Sequence, residues 1–519
     1  MWRFRLVLLV ALIIFYALLF RPVERNIFSV QFVDEEDNFA LATWVLKGKK
    51  LYQDFFWQHQ PLPTLISAGI QKVNPVNSIF LVVKRHREFI FAFSALSFIL
   101  LTARFGLIGF VVAVLYEISK FNILGNLFLA ESLVVPAVLY CIGSITLLVI
   151  NGKKSIHIFD LLIISASLLY ITFSLLPLIP FVIASIVILL ILLAKKMRAK
   201  FLLILGFLSG GVILLLSQFI SFSAYIEDTI NINLREYALF DIKDPAVTVV
   251  GKILFFPFLI FSYPHNNFYL LLQLLSAAYL IGLVILLLKR KFKVAIISYV
   301  LFVTLSMRPW SYGTLYGGFH FLPAFAALIW LALFSIEKSL QLVYPLYKKF
   351  AYAAIIAVFI MWLGVYGLRE FSRTTDQYND WYIHYSPYFD YGETIRLLAS
   401  PDDTLMISTA ASLIYWQSKT LPNSRFFFIY GFMYESNKMR KLLSDSFQKS
   451  PPVFIYMEQD LAKDAIFSQY SGDYTRVSQN GKPSRLYIKT ENFKKIPESA
   501  WEAVVRYGFG KESNALLTP

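Results

Sequence analysis

From Leu6 to Leu368 the chain returns repeatedly to unbroken apolar runs, and that recurrence decides most of what it can fold into. The runs are 6–20, 88–103, 107–120, 133–150, 158–176, 178–194, 201–220, 268–288, 294–306, 319–335 and 351–368. A water-soluble core cannot shelter so many. Charged residues make up only 16% of the 519 residues, against roughly 25% in soluble proteins, and the mean hydropathy is +0.61. Lipid is therefore the solvent these segments require, and in lipid they must be helices. Several fall short of the ~20 residues a span takes, so their ends extend into polar flanks or the bilayer is thinned there. The expectation is an all-α polytopic membrane domain of about eleven transmembrane helices, followed by a small α/β soluble domain. The first run follows Met1-Trp2-Arg3-Phe4-Arg5 and ends at Arg21-Pro22-Val23-Glu24 without a small-residue cleavage site. It reads as a retained signal anchor.

Charge orients the spans. The formal net charge is +15, which in a soluble protein would raise nucleic acid as a partner. Here the bases cluster at the ends of apolar runs and read as topological. Lys153-Lys154, Lys195-Lys196-Arg198-Lys200, Lys289-Arg290-Lys291-Lys293 and Lys338 with Lys348-Lys349 form four basic loops, which the positive-inside rule places in the cytoplasm. Alternation between them works only if the further apolar stretch 251–263 does not cross, so it is expected to be interfacial or re-entrant. The segments left outside are then 21–87, 121–132, 221–267, 307–318 and 369–519. The single cysteine, Cys141, excludes an intrachain disulfide framework and a cysteine-built metal site.

Past residue 368 the apolar runs shrink to strand length: Thr404–Ser408, Phe426–Tyr430, Val453–Met457 and Arg485–Ile488. Mixed-polarity helical stretches such as Glu435–Leu443 lie between them, and Pro401, Pro422 and Pro451-Pro452 punctuate the joins. Residues 1–368 are thus expected to form the membrane domain, with a first outer loop at 21–87. Residues 369–519 are expected to form an extracytoplasmic α/β domain.

The first outer loop is unusual. Asp34-Glu35-Glu36-Asp37 opens a stretch in which Phe39, Ala42, Val45 and Leu46 share a face at helical spacing, and Gly48 stands where a C-cap glycine would. A short amphipathic helix along the membrane surface is expected. Asp34 and Asp37 resemble a capping box, and acids suit a helix N-terminus. Capping leaves the other two acids unexplained beside a phosphate-lined bilayer.

The spacing of Asp34-Glu35, Gly48, Tyr52, Asp54-Phe55-Phe56 and His59-x-Pro61-Leu62 resembles the first periplasmic loop of the polyprenyl-phosphate-sugar-dependent, C-type membrane glycosyltransferases. These include protein O-mannosyltransferases and lipid A aminoarabinose transferases. The family's His-Pro-Pro-Leu stretch has Gln60 in place of its first proline here, and the approach is one residue longer. Gly125-Asn126-Leu127-Phe128-Leu129-Ala130-Glu131-Ser132 resembles the family's second outer loop, which ends in an acid. Tyr316-Gly317-Gly318-Phe319-His320-Phe321-Leu322-Pro323 resembles its late His-Tyr-Phe-Leu-x-x-Pro segment.

The resemblance implies transfer of a sugar from a polyprenyl-phosphate donor to an acceptor hydroxyl, on the outer face of the cytoplasmic membrane. The acceptor is a glycan, a lipid or a protein, and no nucleic acid is involved. The attacking hydroxyl needs a base. Asp34 is the first candidate and Glu35 the alternate. Glu131 is expected to position the acceptor or ligate a metal. The leaving lipid phosphate needs positive charge, for which Lys84, Arg85, Arg87, Arg308 and His320 are candidates, with His59 as a further binding residue. Metal dependence varies among relatives and stays open; no cofactor or dense ligand cluster is indicated, and His86, His265 and His384 read as single surface residues. Asp34, Glu131 and His320 are expected to point into one cavity. Two rival readings are a lipid-linked polysaccharide polymerase or ligase, and a glycolipid flippase or transporter. The first class usually places its chemistry in a late loop. The second calls for charges buried in mid-span and pseudo-symmetric halves.

Overall fold

The computed structural model describes residues 2–151, 156–237, 245–262, 267–306, 318–343, 380 and 383–511. The expected span 351–368, the basic pairs Lys153-Lys154 and Lys348-Lys349, the domain boundary after 368, His265 and Arg308 lie outside the described residues.

Every expected apolar run within the described residues is helical. In order these are α1 (Trp2–Arg25), then α2 (Val33–Leu46) and α3 (Pro61–Val73) of the first loop, and α4 (Ile79–Phe105). They continue as α5 (Leu107–Ser119), α6 (Ala130–Asn151), α7 (Ile158–Ser174), α8 (Ile179–Leu192) and α9 (Lys195–Leu216). After them come α10 (Asn267–Leu288), α11 (Phe292–Leu305) and α12 (Leu322–Val343). Six described helices are long and apolar enough to cross a membrane: those at Arg3–Arg25, Ile79–Phe105, Ala130–Val149, Lys195–Leu216, Phe268–Leu288 and Phe319–Ser339. The chain is a multi-pass membrane protein. The stretch 251–263 is broken into Ala246–Leu254, Phe256–Leu259 and a turn at Ile260–Ser262. Pro257 lacks the N–H that a continuous helix would use. At 1.5 Å per residue its longest piece reaches only about 14 Å, less than half a hydrocarbon core.

Two compact units share the chain. The first comprises residues 1–26, 87–214 and 244–375. Its centre is α12, whose residues Ala324 to Phe334 are almost all buried, and α5, α6, α10 and α11 pack on it. A Cβ on Gly282 of α10 would lie 2.4 Å from Ser335 Cβ, so only glycine permits that approach. Two charged pairs sit at helix ends. Arg104, near the end of α4, grips Asp160 in the first turn of α7 with two bonds of 2.9 Å, and Tyr140 Oη donates to the same carboxylate. Lys120 Nζ lies 2.7 Å from Glu117 Oε2, with both side chains buried.

The second unit comprises residues 27–86, 215–243 and 376–519. It is organised by a six-stranded sheet of order β2-β1-β3-β5-β4-β6. The strands are β1 (Thr404–Ile407), β2 (Leu421–Pro422), β3 (Phe454–Tyr456), β4 (Tyr474–Gln479), β5 (Lys482–Lys489) and β6 (Phe509–Gly510). β1 runs parallel to β2 and β3, and the remaining pairings are antiparallel. Helices α13 (Ser386–Leu398), α14 (Leu413–Ser418) and α15 (Asn437–Lys449) accompany it. The expected strand at Phe426–Tyr430 is not one; only Phe428 bridges to Ile407. Phe426 and Ile429 enter a core that also takes Phe56 and Ile232, and Phe427 and Phe428 are buried too, so burial rather than pairing explains the apolar run.

Candidate active site

Helix α2 departs from the expected surface helix. Glu35, Glu36, Asp37 and Asn38 are buried along with its apolar residues, and α3 and α14 pack on it. No amphipathic face remains. Asp34 does not hold the cap of a capping box: the N-cap is Phe32, in extended conformation, whose side chain makes no capping bond. Asp34 is the second helical residue and is half-buried. Side chains of the same unit bond two of the buried acids. Gln31 Nε2 donates to Glu36 Oε1 at 2.8 Å, and Ser412 Oγ donates to Asp37 Oδ1. Burial pushes the Asp37 carboxyl well above its ordinary value, with the Ser412 bond opposing and Asp34 adding to the rise. Asn38 Nδ2 donates to Asp34 O at 2.8 Å and Asn38 Oδ1 accepts from Thr64 Oγ1 at 2.7 Å. The backbone at Asp34 is thereby held, as a positioned base requires.

The rest of the first-loop motif is a brace. Gly48, at φ +82°, ends α2 as expected. Tyr52 holds φ +68°, a region costly for a side chain with Cβ. Its hydroxyl donates to His59 O at 2.8 Å, while its own carbonyl accepts from Arg425 at 3.1 Å. Asp54 Oδ2 accepts from Lys50 N at 2.7 Å, and Phe56 N donates to Arg425 O at 2.7 Å. Arg425 also holds buried Asp228 at 2.6 Å, and that carboxylate accepts from Trp57 N. Neither Arg425 nor Asp228 was legible as a partner of this loop, because 171 residues or more separate the members. His59 is half-buried, and the Gln60-Pro61 step starts α3 with proline at its first position.

In the membrane unit, Glu131 and His320 meet across 189 residues: His320 Nδ1 lies 2.8 Å from Glu131 Oε1. Glu131 is in the first turn of α6 rather than at its cap, and His320 is in the tight turn Phe319–Phe321 before α12. Glycines make this meeting possible. A Cβ on Gly125 would lie 2.6 Å from both Leu322 Cδ2 and Lys120 Cβ, and one on Gly318 would lie 3.2 Å from Ile123 Cγ2. The two glycine-bearing segments of the sequence are thus packed on each other. Asp34 falls in the other compact unit.

On α4, Arg85 is exposed while Arg87 is 1% exposed. His86 is fully buried, not a surface residue: its Nε2 lies 2.8 Å from Ser67 Oγ and its Nδ1 2.7 Å from Val82 O. Among the described residues no group of three or more His, Cys, Asp or Glu is placed to hold a metal ion.

No protein-family model matches the chain, and no curated protein matches it. Among solved structures it is similar to the apo crystal structure of ArnT from Cupriavidus metallidurans. That match has a TM-score of 0.50 at 10% identity, and covers 93% of this chain and 97% of that one. The crystal structure of ArnT from the same organism bound to undecaprenyl phosphate matches over the same shares, at 10% identity and a TM-score of 0.49. The likeness is one of fold: like that neighbour, the chain combines many apolar helices with a small mixed sheet near its C-terminus.

Proposed function

We propose that the protein transfers a sugar from a polyprenyl-phosphate donor to an acceptor hydroxyl, at the outer face of the cytoplasmic membrane. The supporting observation is a coincidence of two independent lines. The first-loop residue pattern resembles the C-type glycosyltransferases, and the chain as a whole has their fold over 93% of its length. The N-terminus of α2 is where that pattern puts its acidic pair, and Asp34 there is half-buried while Glu35 is fully buried. A base must meet an incoming hydroxyl, which favours Asp34. Glu131 and His320 act as one unit, the carboxylate fixing the ring for binding of acceptor or phosphate. Arg85, Arg87 and Arg308 are the remaining candidates to offset charge on the departing lipid phosphate.

The test is Asp34→Asn in purified protein, read as sugar transfer from a lipid-linked donor beside thermal stability. Loss of a general base lowers the rate by ~10²–10⁴-fold. Asparagine keeps the size, and the N-cap belongs to Phe32, so the melting temperature should hold. Near-normal turnover would remove Asp34 from the mechanism.

A further inference from the structure

The sheet carries a cavity lined by none of the residues proposed for the transfer. β1 has parallel neighbours on both sides, β2 and β3. The chain leaves β1 toward β2, returns past β1 to β3, and then leaves β3 toward the antiparallel half of the sheet. The loops after β1 and β3 therefore diverge. At such a switch point a crevice opens outside the carboxyl ends of the strands, and ligands favour it. A cavity of about 340 Å³ lies there, lined by Ser408 and Thr409 after β1 and by Glu458 and Gln459 after β3. Tyr434 and Asp464 also line it.

This wall is already organised. Asp464 is 5% exposed. Its Oδ1 accepts from Ile466 N at 2.8 Å and Phe467 N at 3.0 Å, and its Oδ2 accepts from Tyr434 Oη at 2.9 Å. The Tyr434 ring is thus held in place. The lining sets hydroxyls, an amide and carboxylates beside one aromatic ring. Glu458, Asp464 and Lys463 line it, and Arg485 Nη1 lies 3.8 Å from Glu458 Oε1, so the charges there nearly balance. A balanced lining offers a phosphate or another anion no net Coulomb attraction. A neutral molecule with many hydroxyls and an apolar face matches the lining. The volume lies near the lower end of small-molecule sites.

We infer that this pocket binds a neutral saccharide unit, with its apolar face toward Tyr434 and its hydroxyls met by Ser408, Thr409 and Gln459. A free sugar and the terminal unit of a glycan share that chemistry. The experiment is saturation-transfer NMR on the full chain in a detergent without a sugar headgroup. The probes are glucose, mannose, galactose, N-acetylglucosamine and a disaccharide of each binder, with inorganic phosphate as the contrast. Saturable binding of at least one neutral sugar is expected. Tighter binding of the disaccharide identifies a glycan end, and equal binding identifies a free sugar. Gln459→Ala removes a hydrogen-bonding group from the exposed lip, and Ala465→Phe fills the mouth from an exposed position. Each should weaken binding about tenfold or more, with the melting temperature unchanged. No sugar binding, binding unaltered in both variants, or phosphate taken in preference would overturn the inference. Neither residue belongs to the proposed transfer machinery, so an inactive Asp34→Asn and a failed sugar titration are separate results.

Discussion

Replacing Lys120 by methionine tests how the segment leading to Glu131 is held. Lys120 pairs with Glu117 at 2.7 Å, and their side chains are 2% and 0% exposed. Ser94 Oγ donates to the other carboxylate oxygen at 2.5 Å. Methionine matches the lysine stem closely enough to add little cavity cost. The loss is therefore electrostatic: a buried carboxylate stripped of its cation costs ~3–5 kcal/mol. The Ser94 bond survives, and a hydrogen bond to a charged group is worth ~1.5–3 kcal/mol. That places the expected loss near the bottom of the range, about 3 kcal/mol. Removing the charge as well, in Glu117→Gln with Lys120→Met, should recover at least half of it. The assay is thermal unfolding of the detergent-purified protein followed by tryptophan fluorescence, run for both single variants and the double. A double-mutant cycle then reads the coupling directly. Turnover should fall with stability in Lys120→Met, since Lys120 opens the turn Lys120–Ile123 and touches Gly125 on the way to Glu131. A loss under about 1 kcal/mol for Lys120→Met, or strict additivity in the double variant, would refute the reasoning.

His320→Gln keeps a polar side chain beside Glu131 but replaces the ring; sugar transfer should fall by at least about tenfold while the melting temperature changes little. A turnover equal to wild type would show the pair to be structural. Asp37 gives a pH signature. Its folded-state pKa is raised by burial, so between the unfolded value of 3.8 and that raised value the folded state holds the extra proton. Stability should therefore fall as pH rises through that window, and Asp37→Asn should flatten the slope in melting temperature against pH.

The Asn480-Gly481 pair shows where local reading had more to give. Both residues take positive φ, and they join β4 to β5 as a two-residue hairpin. Asn-Gly between strand-like runs is the strongest short-range signal for that turn. β4 itself is only partly buried and its sequence, Tyr474–Gln479, is mostly polar, so no apolar run marks it. β2 and β6 are two residues each, too short to leave any periodicity.

What the sequence by itself determined was everything that lipid or local chemistry imposes. Long apolar runs must be helices, because a bilayer offers backbone groups no other partner. Pro257 interrupts 251–263 and Gly48 stops α2, each by its own backbone preference. The candidate acids, too, were visible as four charges where a membrane protein has reason to avoid them. Tertiary structure alone decided what those charges do. Glu36 and Asp37 are tied inside the fold by Gln31 and Ser412, leaving Asp34 at the half-buried start of the helix. Only folding sets Arg425 against Asp228 and His320 against Glu131. Burial and pairing depend on which distant segments arrive at a residue, and a side chain's identity carries no record of that arrival.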